Sequence, residues 1–205
     1  MTPERGPVPT RRGRFRRLTA AARRDQLLDT AAELLLAGGL STLTMERLAE
    51  AAGASKGLGY AYFDNIDDLL GALFEREVGN LYTRVIDAMT DTKGLDARIR
   101  AAVSAYFDAV ARHGALLSAL QAAVASRPLA RTRPDRATND FLRELASVLA
   151  AELDVEPRVA YAHAAAVVAT ADSFGRTWKI TRLTRTQIED TCSRFILAGL
   201  RESRV

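Results

Sequence analysis

Apolar residues recur at three- and four-residue spacing along most of the chain, which is typical of amphipathic α-helices. In the first such segment, Leu28, Ala31 and Leu35 share one helix face, and Gly39 lies where the pattern stops. This predicts a helix over residues 20–37. No segment alternates apolar and polar residues as a half-buried strand does. The pattern therefore predicts an all-α fold.

Two short helices are predicted after the first one. Thr44 is a suitable N-cap for a helix over 44–52, and Ser55 is a suitable N-cap for another over 55–63. Gly53 lies in the turn between them. Two brief helices joined by a glycine-containing turn are typical of a helix-turn-helix.

The remaining sequence predicts six more helices, with ends at proline, glycine and N-cap residues. They cover residues 65–91, 95–112, 115–126, 135–152, 157–179 and 185–202. We therefore expect about nine helices in two domains. Residues 20–80 would form an N-terminal helix-turn-helix domain with its motif at 44–63, and residues 81–205 a C-terminal helical domain.

Positive charge is concentrated at the N-terminus. The whole chain carries a net charge of +4, but residues 1–24 alone contain eight arginines and a single acid, Glu4. We interpret residues 1–19 as a disordered, arginine-rich arm. Such an arm suits a polyanionic partner, although a solvated tail that binds nothing has the same composition.

Composition argues against several protein classes. No apolar run approaches the roughly 18–20 residues that cross a bilayer, and the N-terminus lacks the apolar stretch of a secretory signal, so we expect a cytoplasmic protein without membrane association. An enzyme is the main alternative class. With two histidines, one cysteine and no phosphate-binding glycine loop, however, we expect neither catalysis, nor a metal, nor a cofactor.

The segment from Thr44 to Phe63 resembles the helix-turn-helix of the TetR family of repressors. The resemblance rests on several features in the family's order: Leu48-Ala49, Ala52-Gly53, Ser55-Lys56-Gly57, Tyr60-x-Tyr62-Phe63 and Asp67-Asp68-Leu69-Leu70. It extends over about residues 20–80. The C-terminal part resembles no known sequence, as is usual in this family, where that part adapts to different ligands.

The resemblance implies which residues contact double-stranded DNA. In relatives, positions matching Thr44, Ser55, Lys56, Tyr60 and Tyr62 touch the backbone, and those matching Lys56, Leu58 and Ala61 face the bases. Gly57 lies within the same helix, and Arg14, Arg16 and Arg17 of the arm could enter the adjacent minor groove. For each tyrosine, ring packing in the core with a solvated hydroxyl is the alternative.

Three positions depart from the family pattern. Gly59 stands where a buried leucine is usual, which removes a core contact and costs about 1 kcal/mol of helix propensity. Leu58 and Ala61 offer apolar contacts suited to thymine methyl groups, which leaves Lys56 to read guanine. Ile66 replaces the usual phosphate-binding lysine or arginine.

The helix over 157–179 contains a long uncharged stretch from Val159 to Ala171, which indicates burial on all sides. The resemblance implies a homodimer formed through the last two helices. Its two recognition helices, one from each subunit, would bind the two halves of a palindromic operator. The residues we assign to the dimer interface are Ala160, Ala164, Val167, Ala171, Gly175, Ile188, Cys192, Phe195, Ile196 and Gly199.

A small-molecule cavity is expected among the helices of the C-terminal domain, which would then serve ligand binding and dimerisation. The candidate lining residues are Phe74, Tyr82, Tyr106, Phe107, Gln121, Phe141, His163, Asp172 and Trp178. For each of them singly, ordinary packing in the core or at an interface is the more common explanation. The sequence does not identify the ligand.

The resulting hypothesis is a transcriptional repressor that a small ligand releases from a palindromic operator. Alternatives from other classes remain open at this point. They are an activator, a protein that coats DNA, and a protein-interaction module that has lost DNA binding through the changes at Gly59 and Ile66.

Overall fold

The computed structural model describes residues 19–127 and 136–202, and nearly all of them are helical. The elements are α1 (Ala20–Gly38), a 3₁₀ turn (Leu40–Thr42), α2 (Met45–Ala51), α3 (Lys56–Tyr62), α4 (Ile66–Thr90), α5 (Leu95–Ala125), α6 (Arg136–Leu153), α7 (Pro157–Thr181) and α8 (Arg185–Glu202). The all-α prediction is confirmed. None of the helices in these residues combines the length and hydropathy needed to cross a membrane.

Side chains near the starts of helices accept hydrogen bonds from backbone N–H groups of the first turn, as expected for N-caps. Thr19, which we had placed in the arm, instead caps α1, because its hydroxyl accepts a hydrogen bond from the backbone N–H of Ala22. Thr184 and Gln187 form a reciprocal capping box at α8, with distances of 2.9 and 3.3 Å between the paired atoms.

The prediction of separate helices over 95–112 and 115–126 is wrong. The structure has one helix of 31 residues, α5, which passes through Gly114 without a break. A glycine inside a helix costs only about 1 kcal/mol, and buried side chains on both sides outweigh that cost. Phe107 and Leu120, on either side of the glycine, are both fully buried. The described residues therefore contain eight α-helices rather than nine.

The buried residues form two separate clusters. The head core joins apolar side chains of α1 to α4 with Leu116, Leu120 and Ala123 from the end of α5. The body core joins the later part of α4 and the first part of α5 to α6, α7 and α8. We call the two parts of the molecule the head and the body. The sequence had not indicated that the end of α5 belongs to the head.

Two helices, α4 and α5, connect the head to the body. Each contributes buried residues to both cores, with Leu70 and Val85 on α4 as examples. An ion pair between Asp67 at the start of α4 and Arg127, just beyond the end of α5, ties the two helices together beside the head. A movement of these helices in the body would therefore be transmitted to the head.

Candidate DNA interface and ligand cavity

Residues within and next to the α2–α3 segment explain why the chain turns between these two helices. The hydroxyl of Thr44 accepts a hydrogen bond from the backbone N–H of Arg47, which begins α2. Gly53 follows α2 with φ of 61°, a left-handed conformation that favours glycine. The chain then reaches Ser55, whose extended backbone starts α3 and whose hydroxyl makes no capping hydrogen bond.

The inner faces of these two helices rest on the head core. Met45 and Leu48 of α2 are buried, and Phe63, directly after α3, is only 1% exposed. The guanidinium of Arg24 on α1 lies 5.3 Å from the centre of the Phe63 ring, a cation–π contact. The short helices thus gain from α1 and α4 the stability that their length cannot supply.

Of the seven predicted DNA-contact residues whose exposure the structure describes, five are exposed. Thr44, Ser55, Gly57, Tyr60 and Ala61 are all exposed. Two others are half-buried, and they are Leu58 and Tyr62, the latter packed against the head core. The side chain of Lys56, and the whole of Arg14, Arg16 and Arg17, lie outside the described residues.

The unusual glycine in α3, Gly59, faces the side chain of Met45 in α2. Gly59 is buried, and a Cβ atom added there would lie 3.3 Å from the terminal methyl of Met45. The Met45 side chain therefore takes up part of the space that a larger residue at 59 would fill. Ile66, the other departure, is half-buried and packs against the head core.

Two adjoining cavities of the body share wall residues on α4, α5 and α7. The apolar cavity is narrow, with a volume of about 40 Å³, and is lined by Tyr82, Val85, Met89, Ile99, Ala102, Val103, Tyr106, Phe141, Leu145, Val167, Val168, Ala171, Asp172 and Ile196. The polar cavity is lined by Phe74, Val78, Leu81, Tyr82, Tyr106, Val110, Gly114, Leu117, Ser118, Gln121, Thr138, Val168, Asp172, Gly175 and Arg176.

Six of the nine predicted ligand residues line these cavities, and three line neither. Those on the walls are Phe74, Tyr82, Tyr106, Gln121, Phe141 and Asp172. Phe107 is fully buried in the body core. Trp178 packs edge-on against Phe107, and its indole N–H donates to the carbonyl of Leu183 over 3.0 Å. His163 is half-buried on α7.

The aliphatic residues of the cavity walls were not predicted. Val85, Met89 and Val103 follow the same helical spacing as ordinary core residues, so no sequence signal separates a residue facing a cavity from one facing another side chain. Arg176 was also missed. It is a surface arginine in the sequence pattern, and only the packing of α7 against α4 and α5 brings it to the polar cavity.

Most of the residues assigned to the dimer interface face the interior of their own protomer. Ala160, Ala164, Ile188, Cys192 and Ile196 are at most 4% exposed within the single chain. Val167 and Ala171 line the apolar cavity, and Gly175 the polar one. Only Phe195 and Gly199 of the predicted set are exposed. The reason is that α7 packs its small residues against α6 and α8 of the same chain.

A different face of α7 and α8 is exposed and apolar. Phe195 is 65% exposed and lies 6.0 Å from Phe174, measured between ring centres. Further exposed apolar residues on α7 are Val159, Tyr161, Ala162, Ala165, Ala166 and Ala169. Within one chain, the uncharged stretch of α7 is therefore not buried on all sides.

Cys192 is a packed thiol. It is fully buried between α8 and the rest of the body core. Burial raises the pKa of this thiol to about 12, because the charged thiolate would be poorly solvated. A thiol that stays protonated is a weak nucleophile, so these surroundings do not favour a redox switch.

Comparison with known proteins agrees with this architecture. The family model of bacterial regulatory proteins of the TetR family matches residues 27–73, which extend from α1 into α4. The HTH-type transcriptional activator FasR of Mycolicibacterium smegmatis is 38% identical over 95 residues, or 46% of this chain and 43% of that protein. The chain spans less than half the length of the curated relatives that it matches.

Solved structures extend the likeness to the whole fold. The fatty acid degradation regulator FadR of Bacillus halodurans superposes with a TM-score of 0.71 at 20% identity, covering 90% of this chain and 99% of that one. FadR of Bacillus subtilis, solved in complex with stearoyl-CoA, gives a TM-score of 0.67 at 20% identity, covering 88% and 98%. At this identity the two structures establish the fold alone. Residues 27–73 therefore match the helix-turn-helix of the TetR family of bacterial regulatory proteins, and the described residues share the fold of the two solved regulators.

Proposed function

We propose that this protein is a sequence-specific DNA-binding regulator whose affinity for its operator changes when a ligand with a long apolar chain enters the body. The observation that carries the proposal is the family match over 27–73, which coincides with the exposed α2–α3 surface. The two cavities next to the helices that join head and body support the ligand response.

On the DNA side, the hydroxyls of Thr44, Ser55 and Tyr60 are placed to bind phosphate oxygens. All three side chains are exposed, and Ser55 makes no capping hydrogen bond that would compete. Leu58 and Ala61 would meet the bases, where apolar groups favour the thymine methyl. Lys56, Tyr62 and the arm arginines would complete the contact.

The regulator would act as a homodimer through the exposed apolar face of α7 and α8. Phe195 and Gly199 remain from our sequence-based assignment, and Val159, Ala162 and Ala166 replace the residues buried inside the protomer. A second copy would remove this apolar surface from water. It would also place two heads about one helical turn of DNA apart, as a palindromic operator requires.

For the ligand, an acyl chain suits the apolar cavity best. Its wall consists of aliphatic and aromatic side chains apart from the polar groups of Tyr82, Tyr106 and Asp172. Two relatives support this choice, because one similar structure is a fatty acid degradation regulator and another was solved in complex with stearoyl-CoA. Because the volume of this cavity is only about 40 Å³, a ligand would have to move the helices around it apart, which would shift α4 and change the spacing of the two heads.

The experiment is fluorescence anisotropy with the protein's own upstream DNA, with and without dodecanoyl-CoA. Lys56→Ala and Tyr60→Ala should each weaken operator binding by about tenfold or more. Lys93→Ala removes the same charge from an exposed turn between α4 and α5 and is the matched control, expected to bind normally. Full operator affinity in both head variants, or no effect of any acyl ligand, would contradict the proposal.

We favour a repressor, and an activator is the second candidate because the relative FasR is named an activator. The two are separated by reporter transcription from the bound promoter in a deletion strain. Loss of the gene should raise expression from a repressed promoter and lower it from an activated one.

A further inference from the structure

Two polar side chains stand at the junction of the two cavities. Tyr106 on α5 and Asp172 on α7 line both the apolar and the polar cavity. The phenol of Tyr106 donates a hydrogen bond to one carboxylate oxygen of Asp172, with 3.1 Å between the oxygens. A ligand that extends from one cavity into the other must therefore pass this pair.

A glycine makes this arrangement possible. A Cβ atom added at Gly175, one turn beyond Asp172 on α7, would come within 3.0 Å of the Tyr106 hydroxyl. Any side chain at 175 would push the phenol away. Because Gly175 has no side chain, the Tyr106 ring can lie against α7 closely enough for its hydroxyl to reach the carboxylate of Asp172.

Among the described residues, Asp172 is the single acidic residue on the walls of either cavity. Its second carboxylate oxygen accepts no hydrogen bond within these residues. Arg176, the one basic residue of the described walls, lines the polar cavity but not the apolar one, although its charge also acts on Asp172. On the apolar side, a ligand group that meets the pair therefore lies beside Asp172 rather than Arg176.

The surroundings of Asp172 disfavour negative charge. Burial raises the pKa of its carboxyl above the ordinary value, although the hydrogen bond from Tyr106 and the charge of Arg176 act in the opposite direction. The same loss of hydration would act on a ligand carboxylate placed here, and repulsion from Asp172 would add to it.

We infer that Asp172 makes this site selective for fatty acyl groups whose polar end is uncharged where it meets the Tyr106–Asp172 pair, which means esters, thioesters or amides and not free fatty acids. The inference rests on the proposed function, because it assigns the ligand class of the same site. An amide N–H in the linker of such a ligand could donate to the free oxygen of Asp172. An anionic group farther along the ligand would then reach the polar cavity, where Arg176 can pair with it.

The sharpest test compares two ligands that differ in charge alone, dodecanoate and methyl dodecanoate. Each is titrated below its micelle concentration at pH 8 against Nile red bound to the full-length protein, and displacement gives the ratio of the two affinities. Any apolar cavity prefers the ester to some degree, because a carboxylate loses more hydration. The change in this ratio upon substitution is therefore the decisive quantity.

In Asp172→Asn, the replacement amide oxygen can still accept from Tyr106, but the charge is gone. We expect the preference for the ester to fall by about tenfold or more, since like charges at such a site disfavour binding strongly. Asp140→Asn makes the same change on an exposed part of α6 outside both cavities and should leave the ratio unchanged. Asp172→Ser provides a second neutral variant if the asparagine protein is poorly folded, as judged by its thermal melt.

An unchanged ratio in both Asp172 variants would overturn the inference, as would a wild-type protein that binds dodecanoate as well as its methyl ester. The proposed function is judged separately, by the effect of dodecanoyl-CoA on operator affinity. If the ratio shifts in the variants but no acyl compound alters DNA binding, the ligand response is wrong and the selectivity stands. If dodecanoyl-CoA alters DNA binding and the ratio does not shift, only the selectivity is wrong.

Discussion

The head and the body of this protein are both helical, but their interiors are built differently. In the head, the side chains of α1 to α4 pack directly on one another, and large residues such as Leu48, Phe63 and Leu70 are at most 1% exposed. In the body, residues of similar burial, among them Val103 and Leu145, line an open cavity. Under the proposed function, the head holds a DNA-reading surface in one geometry, whereas the body makes room for a ligand.

The comparison between head and body predicts that the same core substitution, leucine to alanine, lowers the free energy of unfolding by different amounts in the two parts. Leu70→Ala in the head should lower the free energy of unfolding by about 3–5 kcal/mol, because close neighbours leave a new void when the side chain is shortened. Leu145→Ala in the body should lower it by about 2–3 kcal/mol, because one side of Leu145 already faces empty space. Urea unfolding followed by circular dichroism measures both values. Equal losses would mean that the cavity is closed in solution.

Substitution by alanine should be tolerated less well at a glycine on the cavity wall than at a glycine with free space around it. Gly175→Ala forces the Tyr106 ring to move and should destabilise the protein by about 1–3 kcal/mol. Gly79→Ala on α4 makes the same change where the nearest atom, on Ala137, would be 3.8 Å away. It should instead stabilise the helix by up to about 1 kcal/mol. Thermal melts of the two variants give the comparison, and similar behaviour would show that Tyr106 is not held where we place it.

The raised pKa of Asp172 predicts a pH-dependent difference between the wild type and Asp172→Asn. Because the folded state keeps this proton to a higher pH than the unfolded state, the wild type loses stability as the pH rises through the raised folded pKa. The groups that face this carboxyl, Tyr106 and Arg176, are present in both proteins. The asparagine variant should therefore gain stability relative to the wild type between pH 4 and pH 8.

Urea midpoints at pH 4 and pH 8 test this sign. A relative gain that is equal at both pH values would indicate that the carboxyl titrates normally. Asp140→Asn again serves as the control, since it makes the same substitution at an exposed side chain.

The smallest expected effect concerns the two glycines of α3. A Cβ atom at Gly57 would meet nothing within 4 Å, whereas one at Gly59 would lie 3.3 Å from the flexible end of Met45. Gly57→Ala should therefore raise stability by up to about 1 kcal/mol, and Gly59→Ala by less. A larger gain at Gly59, measured by thermal melts without DNA, would show that Met45 moves aside at no cost.

The head could be predicted well because its signals are local. Cap residues act within one turn of helix, so their chemistry can be recognised in the sequence itself. Thr44 caps α2, and Asn65 caps α4 by accepting a hydrogen bond from the backbone N–H of Asp68. The left-handed Gly53 is equally local. The boundary of the head was less predictable. Leu120 lies fifty residues after Leu70, and only folding shows that α5 returns to the head and completes its core.

The body shows where local reasoning stops. Its helix lengths follow from apolar spacing, apart from α5, where the cost of Gly114 was too small to end a helix with buried residues on both sides. The sequence did not predict which face of α7 is buried, because alanine and valine occur on all sides of this helix. We assigned Ala160 and Ala164 to a dimer interface, but both are fully buried in their own chain.

The sequence by itself determined the helices, their caps and the family to which the DNA-reading surface belongs, since these depend on spacing and on neighbours within a few residues. Only the tertiary structure decided which apolar residues face a cavity, which face of α7 and α8 is left exposed, and that Tyr106 meets Asp172 across Gly175. Those relations join residues far apart in the chain, and a cavity wall has the same hydrophobic pattern as a filled core. Packing geometry alone distinguishes the two.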